Sequence, residues 1–220
     1  MKLAVIIGNG QKPDNEVLNY ILNSGPIFIV AADGGANHLY DLEIIPDLII
    51  GDMDSITPET ENFFRGKTQF EKLERQDDTD IEKAVKYLIS ENYTDAILVS
   101  CDGFRLDHSI NNISHLIKYF DRIKLKFIDS ETFAVPYFGN VELSTQIGET
   151  ISLYGFSDKT RVSSEGLKYE LNDMLLQFGF SDSTSNESNS VSICLAIEGG
   201  TIIIFRNLQT AIKYDYLLPA

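Results

Sequence analysis

PDLIIGDMDS, residues 46–55, sets an apolar run against two carboxylates within ten residues. Leu48, Ile49 and Ile50 read as a strand covered on both faces, because a strand with one solvated face would alternate. Asp52 and Asp54 stand at its tip. Two carboxylates at the edge of an apolar sheet repel each other and lose hydration, so the fold has to supply a compensating partner.

Similar runs lie on either side. LAVIIG (3–8), IFIVAAD (27–33), a weaker QFEKL (69–73), DAILVSC (95–101) and KLKFID (124–129) alternate with segments of helical period. Apolar runs separated by amphipathic segments predict an α/β fold, an open parallel sheet with helices on both faces. The helix after QFEKL is the clearest: Ile81, Ala84, Val85, Leu88 and Ile89 share one face, and Thr79-Asp80-Ile81-Glu82 has the form of a capping box. Beyond residue 130 this period fades. VELST, ETISLYGF, GLKYEL, SVSICLAI and GTIIIFRN read as strands between Gly, Ser, Asn and Asp turns, which predicts a smaller antiparallel β domain over 131–220 after an α/β domain over 1–130. SDSTSNESNS (181–190) is the one low-complexity patch and reads as a mobile loop.

The 220 residues are 43% hydrophobic, enough for a substantial core. No apolar run approaches the roughly 20 residues needed to span a bilayer, and MKLAVIIGNGQKPD turns polar too soon for a signal peptide, so a cytoplasmic location is expected. With 33 acidic against 18 basic residues the net charge is -15, which argues against nucleic-acid and anionic-membrane partners. Cys101 and Cys194 lie on separate apolar stretches without CxxC spacing and are expected to be buried thiols.

In open α/β sheets ligands bind beyond the carboxyl ends of the strands, and the acids collect there. Asp33 ends the second run, Asp52 and Asp54 the third; Asp77, Asp78 and Asp80 open the fourth helix; Asp102 and Asp107 follow the fifth. Singly, Asp77, Asp78, Asp80 and Asp107 suit helix caps and first turns, and Asp33 before Gly-Gly suits a turn. Converging carboxylates, by contrast, call for a divalent cation, and oxygen ligands without clustered His or Cys select Mg2+ or Mn2+. Magnesium with open positions usually holds phosphates. Gly8, Gly10, Gly34 and Gly35 would allow close backbone approach, the last two at a helix start facing an anion. Arg105 is placed to neutralise a phosphate, or to pair with Asp107.

Other chemistries find little support. In the turn GNGQKP, Pro13 stands where a dinucleotide fingerprint needs its third glycine, and there is no Walker A or G-x-S-x-G sequence. Of three histidines, His38 and His115 lie within helical patterns, while His108 could reach a nucleotide.

ADGGAN (32–37), PDLIIGDMDS, DDTD (77–80) and GFRLDH (103–108) resemble, in order and spacing, the motifs of the thiamine pyrophosphokinase family. GLKYEL (166–171) followed by STSN (183–186) is similar to its thiamine-binding region, so the resemblance spans nearly the whole chain. It implies transfer of pyrophosphate from ATP to the thiamine hydroxyl, giving thiamine diphosphate and AMP. The implied architecture is a Rossmann-like catalytic domain, then a β-sandwich, in a homodimer with active sites at its interface. Carried over by motif, Asp33, Asp52, Asp54 and Asp80 would hold Mg2+ beside Thr79. Gly34, Gly35, Asn37, Arg105, Asp107 and His108 would lie near ATP, and Tyr169, Ser185 and Asn186 would face thiamine. Asp80 and Asp78 are candidate bases, with direct metal activation of the hydroxyl as the alternative. The family commonly has Trp where this chain has Tyr169, and the sequence has no Trp; tyrosine offers a smaller stacking face. A metal-dependent phosphoesterase and a non-catalytic nucleotide sensor stay open, since either could use the same acids.

Overall fold

The computed structural model describes residues 2–12, 14–75 and 77–218; Pro13, the residue that breaks the dinucleotide fingerprint, lies outside them. The chain divides into two compact units between residues 130 and 131.

In the first unit, β1 (Leu3–Ile7), β2 (Phe28–Ala32), β3 (Leu48–Gly51), β4 (Gln69–Lys72), β5 (Asp95–Val99) and β6 (Lys124–Ile128) form a parallel sheet in the order β6-β5-β1-β2-β3-β4. The order reverses between β1 and β5, which leaves a crevice beyond their carboxyl ends. Every residue of β3 and β5 is buried, as continuous apolar runs require when helices cover both faces. Between the strands run α1 (Asn15–Leu22), α2 (Gly35–Asp41), α3 (Pro58–Phe64), α4 (Asp80–Ser90) and α5 (Leu106–Lys118). α4 packs on β1, β2 and β3 through Ile81, Ala84, Val85 and Leu88. Its predicted capping box is half made. Thr79 Oγ1 accepts from the Glu82 N–H at 3.3 Å, but the Glu82 carboxylate turns inward to Lys118 and Tyr119.

The second unit is antiparallel. It holds β7 (Thr132–Ser144), β8 (Thr150–Gly155), β9 (Arg161–Glu165), β10 (Met174–Leu175), β11 (Ser183–Glu187), β12 (Ser192–Asn207) and α6 (Leu208–Lys213). β12 pairs with β7 along its length, with β9 in its first half and with β8 in its second; β10 adds to β9 and β11 to β8. Between the halves, residues 198–201 of β12 stand opposite Phe138 alone. Gly199 takes φ 74° at this bulge, where a Cβ would lie 2.1 Å from the Lys159 carbonyl oxygen. Ile151, Leu153, Val162, Leu195, Ile197, Ile202 and Ile204 are packed in the core.

Four local expectations are corrected. SVSICLAI and GTIIIFRN are one bent strand, because the glycines between them open a bulge and do not turn the chain back. GLKYEL is a loop: Gly166 takes φ 96°, and the Glu170 carboxylate accepts from Gly166 N and Leu167 N at 2.8 and 3.1 Å. Residues 183–187 of the serine-rich patch are strand β11, whose Ser and Asn side chains bond within the unit. Cys101 is buried as expected, but Cys194 is exposed, since it falls on the outward phase of β12 between buried Ile193 and Leu195. Among the described residues no helix is long and apolar enough to cross a membrane.

Candidate active site

Three strand ends of the parallel sheet turn sharply. Asp33 after β2, Met53 after β3 and Ser100 after β5 have φ of 45°, 66° and 56°, a backbone region that side-chain-bearing residues enter at a cost. Beyond them opens a cavity of about 840 Å3, lined by Gly8, Gly10, Asp33, Asp52, residues 77–83, Ser100, Arg105, Asp107 and His108, among others.

Asp33, Asp52 and Asp80 come together here, each offering an oxygen within 4.8 Å of the others. Gly51 makes this approach possible. Its φ is 153°, and a Cβ on it would lie 2.8 Å from Asp33 Cβ and 3.1 Å from Asp80 Oδ1. Asp33 is buried; burial raises its pKa, the Ser55 hydrogen bond lowers it, and the neighbouring Asp80 charge raises it again. An all-oxygen trio at this spacing suits a hard divalent cation. Lys83, 2% exposed, donates to Asp80 Oδ1 at 2.8 Å and offsets part of the negative charge.

Asp54 stands outside the trio. It is exposed, and its Oδ1 accepts from Ser55 Oγ at 2.9 Å. Asp78 is committed to two cations: Arg75 Nε donates to it at 2.9 Å and Lys86 Nζ at 3.0 Å. Burial would raise its pKa, but these partners hold it below the ordinary carboxylate range, which makes it a poor proton acceptor. Thr79 is the N-cap of α4, which aims Asp80 from the first turn.

The glycines and asparagine of ADGGAN have structural roles. Neither Gly34 nor Gly35 lines the cavity; a Cβ on Gly35 would lie 2.0 Å from the Ile7 carbonyl oxygen, so its lack of a side chain lets α2 close on β1. Asn37 donates to the Ser55 carbonyl at 2.9 Å and accepts from Thr57 N at 3.1 Å, tying down the loop after β3. At the cavity mouth Arg105 and Asp107, both exposed, pair at 2.5 Å, which holds the Asp107 carboxyl below its usual range. His108 is exposed beside them.

In the second unit Tyr169 is 64% exposed and Ser185 is exposed with φ 53°. Asn186 is the contrast: it is buried, and its amide bonds to protein groups on every side.

Sequence reading missed Lys83, Glu82 and Gly51. The Asp80–Lys83 spacing, i to i+3 on a helix, could have flagged the first. In the sequence Glu82 reads as a cap residue, a role that hides its burial against α5.

Comparison with known proteins gives two family matches. The family model described as "Thiamin pyrophosphokinase, catalytic domain" matches residues 3–127, and "Thiamin pyrophosphokinase, vitamin B1 binding domain" matches residues 140–197. "Thiamin pyrophosphokinase 1" of Caenorhabditis elegans is 29% identical over 204 residues, covering 86% of this chain and 82% of its own. "Thiamine pyrophosphokinase 2" of Arabidopsis thaliana is 31% identical over 185 residues, covering 71% and 69%. A crystal structure of thiamine pyrophosphokinase from Bacillus subtilis superposes with a TM-score of 0.83 at 22% identity, covering 94% of this chain and 99% of that one, a likeness of fold.

Proposed function

The chain belongs to the thiamin pyrophosphokinase family, and from that premise we propose that its Asp33–Asp52–Asp80 edge is where ATP is gripped for pyrophosphoryl transfer to thiamine. The enzyme is a thiamine diphosphokinase: the thiamine hydroxyl oxygen bonds to the β-phosphorus of ATP, the bond from that phosphorus to the α,β-bridging oxygen breaks, and AMP leaves.

The observation that carries the site is the convergence within 4.8 Å of three carboxylates, from the ends of β2 and β3 and the start of α4. Asp33, Asp52 and Asp80 would hold Mg2+, or Mn2+ in its place, with Asp54 next along the same loop. Magnesium bound there supplies neutralisation of the phosphate oxygens and electron withdrawal from the attacked phosphorus. Thr79 and Lys83 hold Asp80 in place from the α4 side. Arg105 exchanges Asp107 for a phosphate oxygen, since a solvent-screened exposed pair yields readily to a higher charge. His108 borders the nucleotide. Asp78 is occupied by Arg75 and Lys86 and Asp80 by Lys83, so neither carboxylate stands free to accept the hydroxyl proton.

Tyr169 and Ser185 face thiamine, the tyrosine ring stacking on the cationic thiazolium. The protein works as a homodimer in the cytoplasm, with the second unit contributing to its neighbour's site. The two family matches support assigning ATP and metal to residues 1–130 and thiamine to 131–220.

The test is AMP formation with Mg-ATP, with and without thiamine. Thiamine-dependent AMP is expected from the native chain, with near-complete loss in a folded Asp52→Asn variant. Thiamine-independent phosphate release would point to a hydrolase, and undiminished AMP in Asp52→Asn would remove the metal assignment.

A further inference from the structure

Residues 166–171 form a loop that is anchored before any ligand arrives. Leu167 and Leu171 are 2% and 5% exposed and are fixed in the core of the second unit. Glu170 accepts from Gly166 N, Leu167 N and the Ser164 hydroxyl, and Lys168 N donates to the Glu187 carbonyl at 2.8 Å. Those contacts fix the loop on either side of Tyr169 without touching it.

Asn186 does touch it, at both backbone groups. Its Oδ1 accepts from Tyr169 N at 3.1 Å and its Nδ2 donates to the Tyr169 carbonyl at 2.8 Å, the pattern a neighbouring strand would offer. The remaining amide hydrogen goes to Ser183 Oγ at 3.0 Å, and the second oxygen lone pair accepts from Glu187 N at 2.8 Å. A carboxamide has two donor hydrogens and two acceptor lone pairs. All four are used, and the residue is 2% exposed, so Asn186 has nothing left to offer a substrate.

We propose that Asn186 is a positioning residue, which presets the Tyr169 ring for thiamine through the tyrosine backbone and makes no substrate contact of its own. This rests on the reading of Tyr169 as the thiamine-facing aromatic. A ring held ready loses little freedom on binding, which is where preorganisation adds affinity. A merely stabilising asparagine would serve the buried leucines; this one places two of its four bonds on the loop's exposed aromatic residue, Tyr169.

A double-mutant cycle on the full chain tests it. Tyr169→Ala and Asn186→Ala are each expected to raise KM for thiamine about tenfold, the scale of one lost stacking contact, with KM for ATP unmoved. Acting through the same ring, the pair together should do no more than Tyr169→Ala alone. An additive, roughly hundredfold rise would overturn the proposal, because Asn186 would then act on substrate independently. A second readout uses the absence of tryptophan: Tyr169→Trp places the only indole of the chain on the loop. Adding Asn186→Ala should lower its fluorescence anisotropy; unchanged anisotropy would also overturn the proposal. Asn186→Asp, of nearly the same size, replaces the alanine variant should that fail to fold, and its carboxylate facing the Tyr169 carbonyl is expected to act in the same direction. If Tyr169→Ala leaves KM for thiamine unchanged, the thiamine assignment of Tyr169 fails, while the anisotropy still decides whether Asn186 orders the loop.

Discussion

Gly51 is the hinge on which the carboxylate cluster closes. Gly51→Ala would press a methyl group against Asp33 and Asp80 and hold a side chain at φ 153°. We expect a loss of stability of about 1–3 kcal/mol and a larger proportional loss of AMP formation, read by thermal melts beside steady-state assays. Should activity fall no further than stability accounts for, the glycine serves packing alone. Lys83→Met should likewise reduce turnover while keeping volume, since it leaves the Asp80 charge without its cation; the check is KM for Mg-ATP against kcat. Asp33 and Asp52 were legible in the sequence because the ends of strands in an α/β sheet lie at one edge, and Asp80 because the helix it opens starts at that same edge. The backbone bonds of Asn37 and Asn186 were not. Whether a polar side chain faces a ligand or is consumed by backbone depends on tertiary partners that no spacing reveals.

At the scale of elements, α4 is held to α5 by one buried charge. Lys118 Nζ and the Tyr119 hydroxyl reach Glu82 Oε1 at 2.6 and 2.5 Å, and Lys86 lies 3.2 Å from it. Burial opposes the Glu82 charge, but these bonds outweigh it and hold the pKa down to about 2. A carboxyl lowered on folding stabilises above its unfolded pKa of about 4.5 and loses that contribution as pH falls toward 2. Glu82→Gln should therefore cost on the order of 2 kcal/mol at neutral pH and flatten the stability profile between about pH 4 and 2, measured by denaturant titration. An unaltered slope there would remove Glu82 as its source. The parallel sheet was readable from runs that carry their own boundaries. The second unit was less so: β11 is polar and β12 is interrupted by glycines, so what makes them strands is pairing with β8 and β7, a property of partners and not of local period.

For the whole molecule, the net charge of -15 and an acid cluster that Lys83 only partly compensates both oppose folding. Magnesium at a hundredfold above its Kd should stabilise the protein by about 2.7 kcal/mol, and the gain should vanish in Asp52→Asn and on adding EDTA. Equal stabilisation of the variant would assign the effect to general screening. A different consequence follows from β12. Among the described residues of the second unit, β7, β8 and β9 hydrogen-bond to one another only through that one strand, so during synthesis the preceding sixty or so residues wait on the ribosome with the edges that β12 covers still open until 192–207 emerge. The first unit, whose strands are complete by Ile128, can already be folded by then, and the nascent chain is most exposed to aggregation in that interval.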